Sequence, residues 1–332
     1  QSGLRNLGVG ADTYAYMQIF YNDIDESWSF FVSNLFYGDI KDGGYHLISK
    51  LFGTFIPNFR CFLITIAILF FGALGTFFMR HLKSNYEVCV SIALYECLYY
   101  SFFSITGLRQ TIATAILLYA VKYAIDKKIV KYVMLILLAT TIHKTALLFA
   151  PFYLLGIIKK NRIIFIVSFL LFVPMFFAGN FLGNILRDTS MEGYAHYLDP
   201  NDTGGAYVFT IYIMLLAILT FINLKDINKS AEGCYLITSS IAIALFLSPL
   251  LALDANNQRV VQYYSVFGLI ILPRLCSVYS NFKFKRLVYM IVFFVFALYT
   301  LHRRVEYKFY WQDMVLVGKD ASFIINDNAL KY

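Results

Sequence analysis

Charge is scarce in this chain. Only 14% of its residues are charged against 59% hydrophobic, with a mean hydropathy of +0.64, which leaves too little polar surface to cover a water-soluble globule. A soluble enzyme or carrier is excluded on that ground, and the chain belongs in a bilayer. Acidic residues are scarcer than basic ones, 20 against 28, giving a formal net charge of +8. The basic excess forms no face of a soluble domain, because Lys and Arg fall in short gaps between apolar runs. Nucleic acid is therefore not a partner, and the excess reads as membrane orientation. Cysteine is also rare: Cys61, Cys89, Cys97, Cys234 and Cys276 are odd in number and show neither CxxC nor metal-ligand spacing. That excludes a disulfide framework and leaves them as small packing residues. No cleavable signal pattern, soluble domain, low-complexity tract or long-period repeat interrupts the sequence. Apolar length is what is abundant, carried in part by 33 Phe and 26 Tyr.

About 20 apolar residues span the hydrocarbon, fewer where a helix meets a thin bilayer. Runs near residues 61–79, 87–105, 110–125, 162–178, 206–223, 234–253, 260–273 and 286–302 qualify as spans. The stretch 129–158 is too long for one span and carries His143-Lys144 at its centre, so it reads as two short helices or a re-entrant hairpin meeting at "TIHKT". Charge bias favours that reading. With a hairpin, the gaps at 80–86, 122–131, 159–162, 224–233 and 274–286 hold 2, 4, 3, 2 and 4 Lys/Arg and all share one side, which is then cytoplasmic. The opposite short gaps hold one cation each: Arg109, Lys144 and Arg259. The expected fold is an all-α polytopic membrane protein, a single transmembrane domain over 1–332 with about ten crossings. Residues 1–58, the loop 179–205 and the tail 303–332 are expected on the outer face.

That topology gathers polar residues outside. An arginine at the membrane boundary offers a planar fork of donors matched to phosphate oxygens, so Arg5, Arg109 and Arg259 together could hold a diphosphate. Each could equally be a snorkelling anchor among lipid headgroups. His143 can exchange a proton near neutral pH and Lys144 can hold an anion, although a lone histidine at a helix turn also serves as a packed, hydrogen-bonded residue. Gln110 adds an amide beside Arg109. Asp12, after two glycines in "GVGADTYAY", is either a ligand-side carboxylate or a simple turn residue. Glu96 lies within an apolar run and needs a partner or a proton there. Asp23, Asp25 and Glu26 in "YNDIDESW" read as a solvated acidic face before they read as a metal site.

Four segments in order carry a resemblance: "GLRNLGVGADTYAYMQIF" at 3–20, "GGYHLISKLFG" at 43–53, "GLRQTIATAILLYAVKYAIDKK" at 107–128 and "IHKTALLFAPFYLL" at 142–155. They resemble the EpsG-like branch of the Wzy-type bacterial polysaccharide polymerases. The likeness covers most of residues 3–160, while 161–332 is similar in hydropathy and in one late arginine, for which Arg259 is the candidate. Members of such families carry a helix ahead of the first Gly-Leu-Arg segment. The resemblance implies a membrane glycosyltransferase architecture of the GT-C-like kind in the bacterial cytoplasmic (inner) membrane, with its site facing the periplasm or cell exterior. It also implies an undecaprenyl-diphosphate-linked oligosaccharide as both donor and acceptor, membrane lipids around it, and a flippase and chain-length regulator as pathway partners.

Transfer of a glycan from a lipid diphosphate to a hydroxyl develops negative charge on the leaving group and releases a proton. Arg109, Arg5 and Arg259 are accordingly assigned to the diphosphate with Gln110 and Lys144 in support. His143 is the first candidate base and Asp12 the second. The leaving group is already good, so neither metal nor cofactor is required. Two other functions fit the same residues: an outer-face glycan ligase, and a lipid-linked oligosaccharide flippase or transporter. The transporter would place charges along a midplane cavity with repeat symmetry, and no repeat is visible here.

Overall fold

The computed structural model describes residues 1–10, 12–37, 42–158, 161–188, 204–229, 233–252, 257–278, 287, 290, 307–317 and 322–325. Apart from Leu287 and Met290, the expected span at 286–302 lies outside the described residues, as does most of the loop at 179–205. The described chain is helical apart from one short hairpin. Its helices are α1 (Thr13–Asp25), α2 (Trp28–Tyr37), α3 (Gly43–Phe55), α4 (Phe59–His81), α5 (Asn85–Leu98), α6 (Leu108–Ile125) and α7 (Ile129–Ile142), followed by α8 (Phe152–Ile158), α9 (Asn161–Asp188), α10 (Gly204–Ile222), α11 (Leu224–Asn228), α12 (Cys234–Leu247), α13 (Gln258–Ser265) and α14 (Gly268–Val278). A π-helical turn, Ser101–Thr106, leads into α6.

Local chemistry sets the boundaries. At the start of α4 the Asn58 side chain accepts the Cys61 N–H at 3.1 Å, and Arg80 and His81 occupy the last turn, where cations suit the carbonyl end of the helix. The short connection to α5 is a reciprocal cap: Ser84 Oγ accepts the Glu87 N–H at 3.3 Å, and the Glu87 carboxylate accepts the Lys83 N–H at 2.7 Å. At 1.5 Å per residue α4 is roughly 34 Å long, enough to cross a hydrocarbon core.

Among the described residues two helices are long and apolar enough to cross a membrane: α4, with mean hydropathy 2.4, and the run Cys234–Leu251, with mean hydropathy 2.0. The pair α13 and α14, bent by 40° at its break, reaches the same standard as a unit. Ile129–Ile142, Lys144–Ile158, Asn161–Met175 and Val208–Ile222 are apolar but shorter. Ile68, Leu69 and Met79 on α4, Val130, Met134 and Leu137 on α7, and Leu170 and Val173 on α9 are all exposed. Apolar stripes of that extent belong against lipid. Glu96 is exposed on α5 rather than enclosed.

The stretch 129–158 turns back on itself. Tyr132, near the start of α7, donates its hydroxyl to the Phe149 carbonyl at 2.7 Å, and Tyr153 on α8 donates to the Lys127 carbonyl at 3.1 Å. The second arm therefore returns to the end from which the first set out.

Hydrogen bonds sort the remaining connections into two ends of the bundle. At one end Arg274 bonds the His81 carbonyl and Cys234 Sγ, while Asn161 donates to the Tyr235 carbonyl at 3.0 Å and to Thr238. At the other end Arg5 reaches the Ser104 carbonyl at 3.0 Å, Gln110 the Arg259 carbonyl at 2.7 Å, and Asp42 the turn at His143-Lys144. The chain's far segment joins this second end: the Asn6 N–H donates to the Lys308 carbonyl at 2.8 Å, and the Tyr310 N–H to the Leu4 carbonyl at 3.0 Å. Beyond it β1 (Met314–Val317) pairs antiparallel with β2 (Ser322–Ile325), Met314 opposite Ile325 and Val317 opposite Ser322. This hairpin is an addition to the expected all-helical plan; "MVLV" and "SFII" are each only about one helical turn long, too short for a stable helix.

The main core draws on α4 through α14, and within it Phe149, Phe152 and Phe267 stack within 4.6 to 6.1 Å of one another. A second, smaller core joins α1, α3 and α4 through Phe20, Tyr45 and Phe62. It carries the site.

Candidate active site around Asp42

The centre of the site is Asp42, just before α3. Its backbone lies in the left-handed region, φ 62° and ψ 47°, where aspartate is one of the few tolerated side-chain-bearing residues. The following Gly43-Gly44 lets α3 come against the end of α7. A Cβ built on Gly44 would stand 2.8 Å from the carbonyl carbon of Thr141, closer than real contacts allow, so any larger residue would push α3 away. That close approach carries the Asp42 carboxylate onto the His143-Lys144 turn.

Four polar groups then converge. Arg109 Nη1 donates to Asp42 Oδ2 at 3.1 Å, His143 Nδ1 faces the same oxygen at 3.4 Å, and the Lys144 main-chain N–H donates to Oδ1 at 3.1 Å. Asp42 is buried, His143 is 7% exposed, and the Lys144 side chain is exposed. Burial alone would raise the Asp42 carboxyl, but the hydrogen bonds from His143 and the Lys144 N–H, the His143 charge and the Arg109 bond outweigh it and hold the group at about 2. Asp42 is thus a carboxylate throughout the physiological range.

Two free positions remain on this cluster. His143 Nε2 and Arg109 Nε are both buried without a hydrogen-bond partner. An unpaired buried donor or acceptor costs about 1 to 3 kcal/mol, a cost expected where a ligand completes the site. The Arg109 guanidinium lies over the rings of Tyr45 at 5.0 Å and Tyr16 at 5.7 Å, which fixes its plane.

Gln110, one residue on, points to α13. Its Nε2 donates to the Arg259 carbonyl, and its Oε1 is unpartnered. Arg259 itself is half-buried at the start of α13. Asp12, half-buried, is the N-cap residue of α1 and makes no side-chain cap. The phenol of Tyr16 links these groups electrostatically. Burial raises it, Asp12 pushes the same way, and Arg109 and Arg259 oppose. Asp12, Arg109 and Arg259 therefore all act on one tyrosine.

Arg5 behaves differently from expectation. It is 2% exposed, donates to the Ser2 and Ser104 carbonyls, and gives its Nε–H to Thr13 Oγ1 at 3.1 Å. Burial, followed by repulsion from Arg60, lowers it to about 10, so it remains charged near neutral pH. Its Nε and Nη1 serve the protein, where they clamp the N-terminal segment to the turn before α6. Gly10, at φ +84° and with a built Cβ 3.0 Å from the Ile105 carbonyl oxygen, permits the same close approach.

The acidic stretch 21–28 is likewise internal in part. Asp23 is buried and pairs with His46 at 2.8 Å, and Lys50 Nζ donates to the carbonyls of Asp23 and Glu26, both at 2.7 Å. Lys50 thereby satisfies the open carbonyls at the end of α1. Among the described residues no group of three or more His, Cys, Asp or Glu side chains is placed to hold a metal.

A buried carboxylate that gathers an arginine, a histidine and a main-chain N–H, at one end of a helical bundle with lipid-facing apolar stripes, defines a polar reaction or binding centre in a membrane protein. The EpsG family matches the chain over residues 1–314, and the chain belongs to that family, a Wzy-like family of polysaccharide polymerases. Its function is accordingly of the polysaccharide-polymerase type, glycosyltransferase-like and membrane-borne. No curated protein and no solved structure matches it.

Proposed function

We propose that the protein extends a polysaccharide at the outer face of the bacterial cytoplasmic membrane, transferring the growing glycan from undecaprenyl diphosphate to the next lipid-linked repeat unit. The observation that carries this reading is the Asp42 cluster: a histidine with a free Nε2 and an arginine with a free Nε, held by one carboxylate. In the reaction an acceptor hydroxyl oxygen bonds to the anomeric carbon as the bond from that carbon to the diphosphate oxygen breaks. The bonding electron pair leaves with the diphosphate, and the hydroxyl proton passes to His143 Nε2. Asp42 faces the other ring nitrogen and stabilises the imidazolium that results, the role a buried carboxylate plays behind a histidine base. Arg109, Lys144 and Arg259 balance the charge that develops on the diphosphate. Gln110 sets the position of Arg259 through its main chain, and Asp12 is the alternative base. Arg5 is left out of the diphosphate set because it is buried and spends Nε and Nη1 on Thr13, Ser2 and Ser104.

Orientation follows from charge. The end carrying Lys127, Lys128, Arg162 and Arg274 is the cytoplasmic one, which turns the Asp42 cluster outward. The pairing of residues 1–6 with 307–312 at the site end supports a topology with both segments outside.

Glycan length in cells lacking the protein tests the reading. Single repeat units on the lipid carrier are the expected product. Full-length polymer retained on its lipid would instead indicate attachment of finished glycan, and absence of any outward-facing repeat unit would indicate transport.

A further inference from the structure

Residues 307–313, "YKFYWQD", form an aromatic platform that the reaction just described does not use. The rings of Phe309 and Trp311 stack at 4.5 Å with an interplanar angle of 3°, and Tyr307 and Tyr310 meet this pair edge-on at 5.2 and 4.9 Å. Phe309 covers one face of the indole, and Trp311 is 50% exposed. The platform is fixed in place. Its main chain pairs with that of residues 4–6, Tyr310 lies 5.0 Å from the Arg60 guanidinium, and Asn6 Nδ2 donates to the Gln312 carbonyl at 2.7 Å. The Gln312 side chain is fixed too, its Oε1 accepting the Phe309 N–H at 2.8 Å, while its NH2 group is not used in that bond.

We propose that the Trp311 face, with the Gln312 amide at its edge, is a holding subsite for the product glycan. A pyranose ring has one apolar C–H face and a rim of hydroxyls. A flat exposed indole matches the face, and a pinned amide donor matches the rim. A lipid-interface anchor needs neither a fixed ring plane nor an oriented amide, and its aromatic residues are not flanked by a carboxylate such as Asp313. The main-chain pairing also joins the platform to the segment whose Arg5 reaches Thr13, next to Asp12, and Ser104, ahead of Arg109. A glycan leaving the Asp42 cluster would meet this surface on its own side of the membrane. Retention there would favour repeated addition to one chain over release.

The inference rests on the polymerase reading, and its test separates the two. Wild type, Trp311→Ala and Trp311→Phe are compared in membranes at matched abundance, reading both the first coupling of two repeat units and the modal chain length. Loss of one aromatic contact weakens the hold by about three- to tenfold. Trp311→Ala is therefore expected to shorten the modal length by a similar factor while first coupling stays within about twofold, and Trp311→Phe is expected to keep the length. Unchanged length in Trp311→Ala, with wild type still polymerising, overturns the subsite alone; no coupling by wild type overturns the polymerase. In a Trp28→Phe background, where Trp311 is the sole tryptophan, its fluorescence in bilayers containing brominated lipid should resist quenching and shift when purified wild-type polymer is added. Strong quenching with no response to polymer would make the segment a membrane anchor.

Discussion

Asp42→Asn is expected to reduce polymerisation by about 100- to 10,000-fold at matched folded concentration, comparable with removing the carboxylate behind a catalytic histidine. The side chain keeps its size and can still accept the Lys144 N–H. It loses the charge that faces both Arg109 and His143, so the imidazolium formed on proton transfer is no longer stabilised and the guanidinium loses its counter-ion. Asp42→Ala should additionally lower abundance, because Arg109, whose side chain is 17% exposed, would be left without its ion-pair partner. Acid provides a second view of the same group. The Asp42 carboxyl titrates at about 2 in the folded protein, below its ordinary value near 3.8, so its contribution to stability is present above the ordinary value and is lost as pH falls toward about 2. The midpoint of acid unfolding should therefore move upward in Asp42→Asn. Turnover within a few-fold of wild type would remove Asp42 from the site.

Arg109→Lys should be nearly as damaging as Arg109→Ala, with roughly a 100-fold or greater loss of polymer. Lysine preserves the charge. It does not preserve a planar guanidinium that rests on Tyr45 and Tyr16, spends Nη1 on Asp42 and still offers Nε to a phosphate oxygen. The variants are to be read as chain length against protein abundance. Full-length polymer from Arg109→Lys would reduce Arg109 to a general electrostatic role.

Hydropathy made the helices legible, and charge bias made the turn-back at 129–158 legible, even though α7 has only 14 residues. It could do so because both signals are local or additive along the chain. Arg109, Gln110, His143 and Arg259 stood out as polar residues in gaps between apolar runs, and the structure brings Arg109 to His143 and Gln110 to Arg259. Asp42 did not stand out. It sits in "YGDIKDGGYH" with no periodicity, 67 residues from Arg109 and 101 from His143, and only the fold connects them. Two signals were nonetheless available: an arginine and a histidine in the short polar gaps of so apolar a chain call for a carboxylate, and Asp-Gly-Gly ahead of an amphipathic helix marks a tight entry. The inward turn of Arg5 was hidden for a related reason. Its Gly-Leu-Arg setting is the same as that of Arg109, and sequence alone does not reveal that its side chain turns inward onto the carbonyls of Ser2 and Ser104. Asp23 likewise read as solvated until α3 supplied His46, 23 residues away.

The most direct measurement is turnover of purified His143→Gln against wild type, at matched folded concentration, across about pH 5 to 9. Glutamine retains much of the volume and can hydrogen-bond to Asp42, but it cannot take a proton. The expected result is normal abundance, products of one or two repeat units, and turnover about 100- to 10,000-fold lower with the wild-type rise in rate with pH abolished. Turnover near wild type with an unchanged pH profile would contradict a base at His143 and transfer that role to Asp12, for which Asp12→Asn should then show the loss.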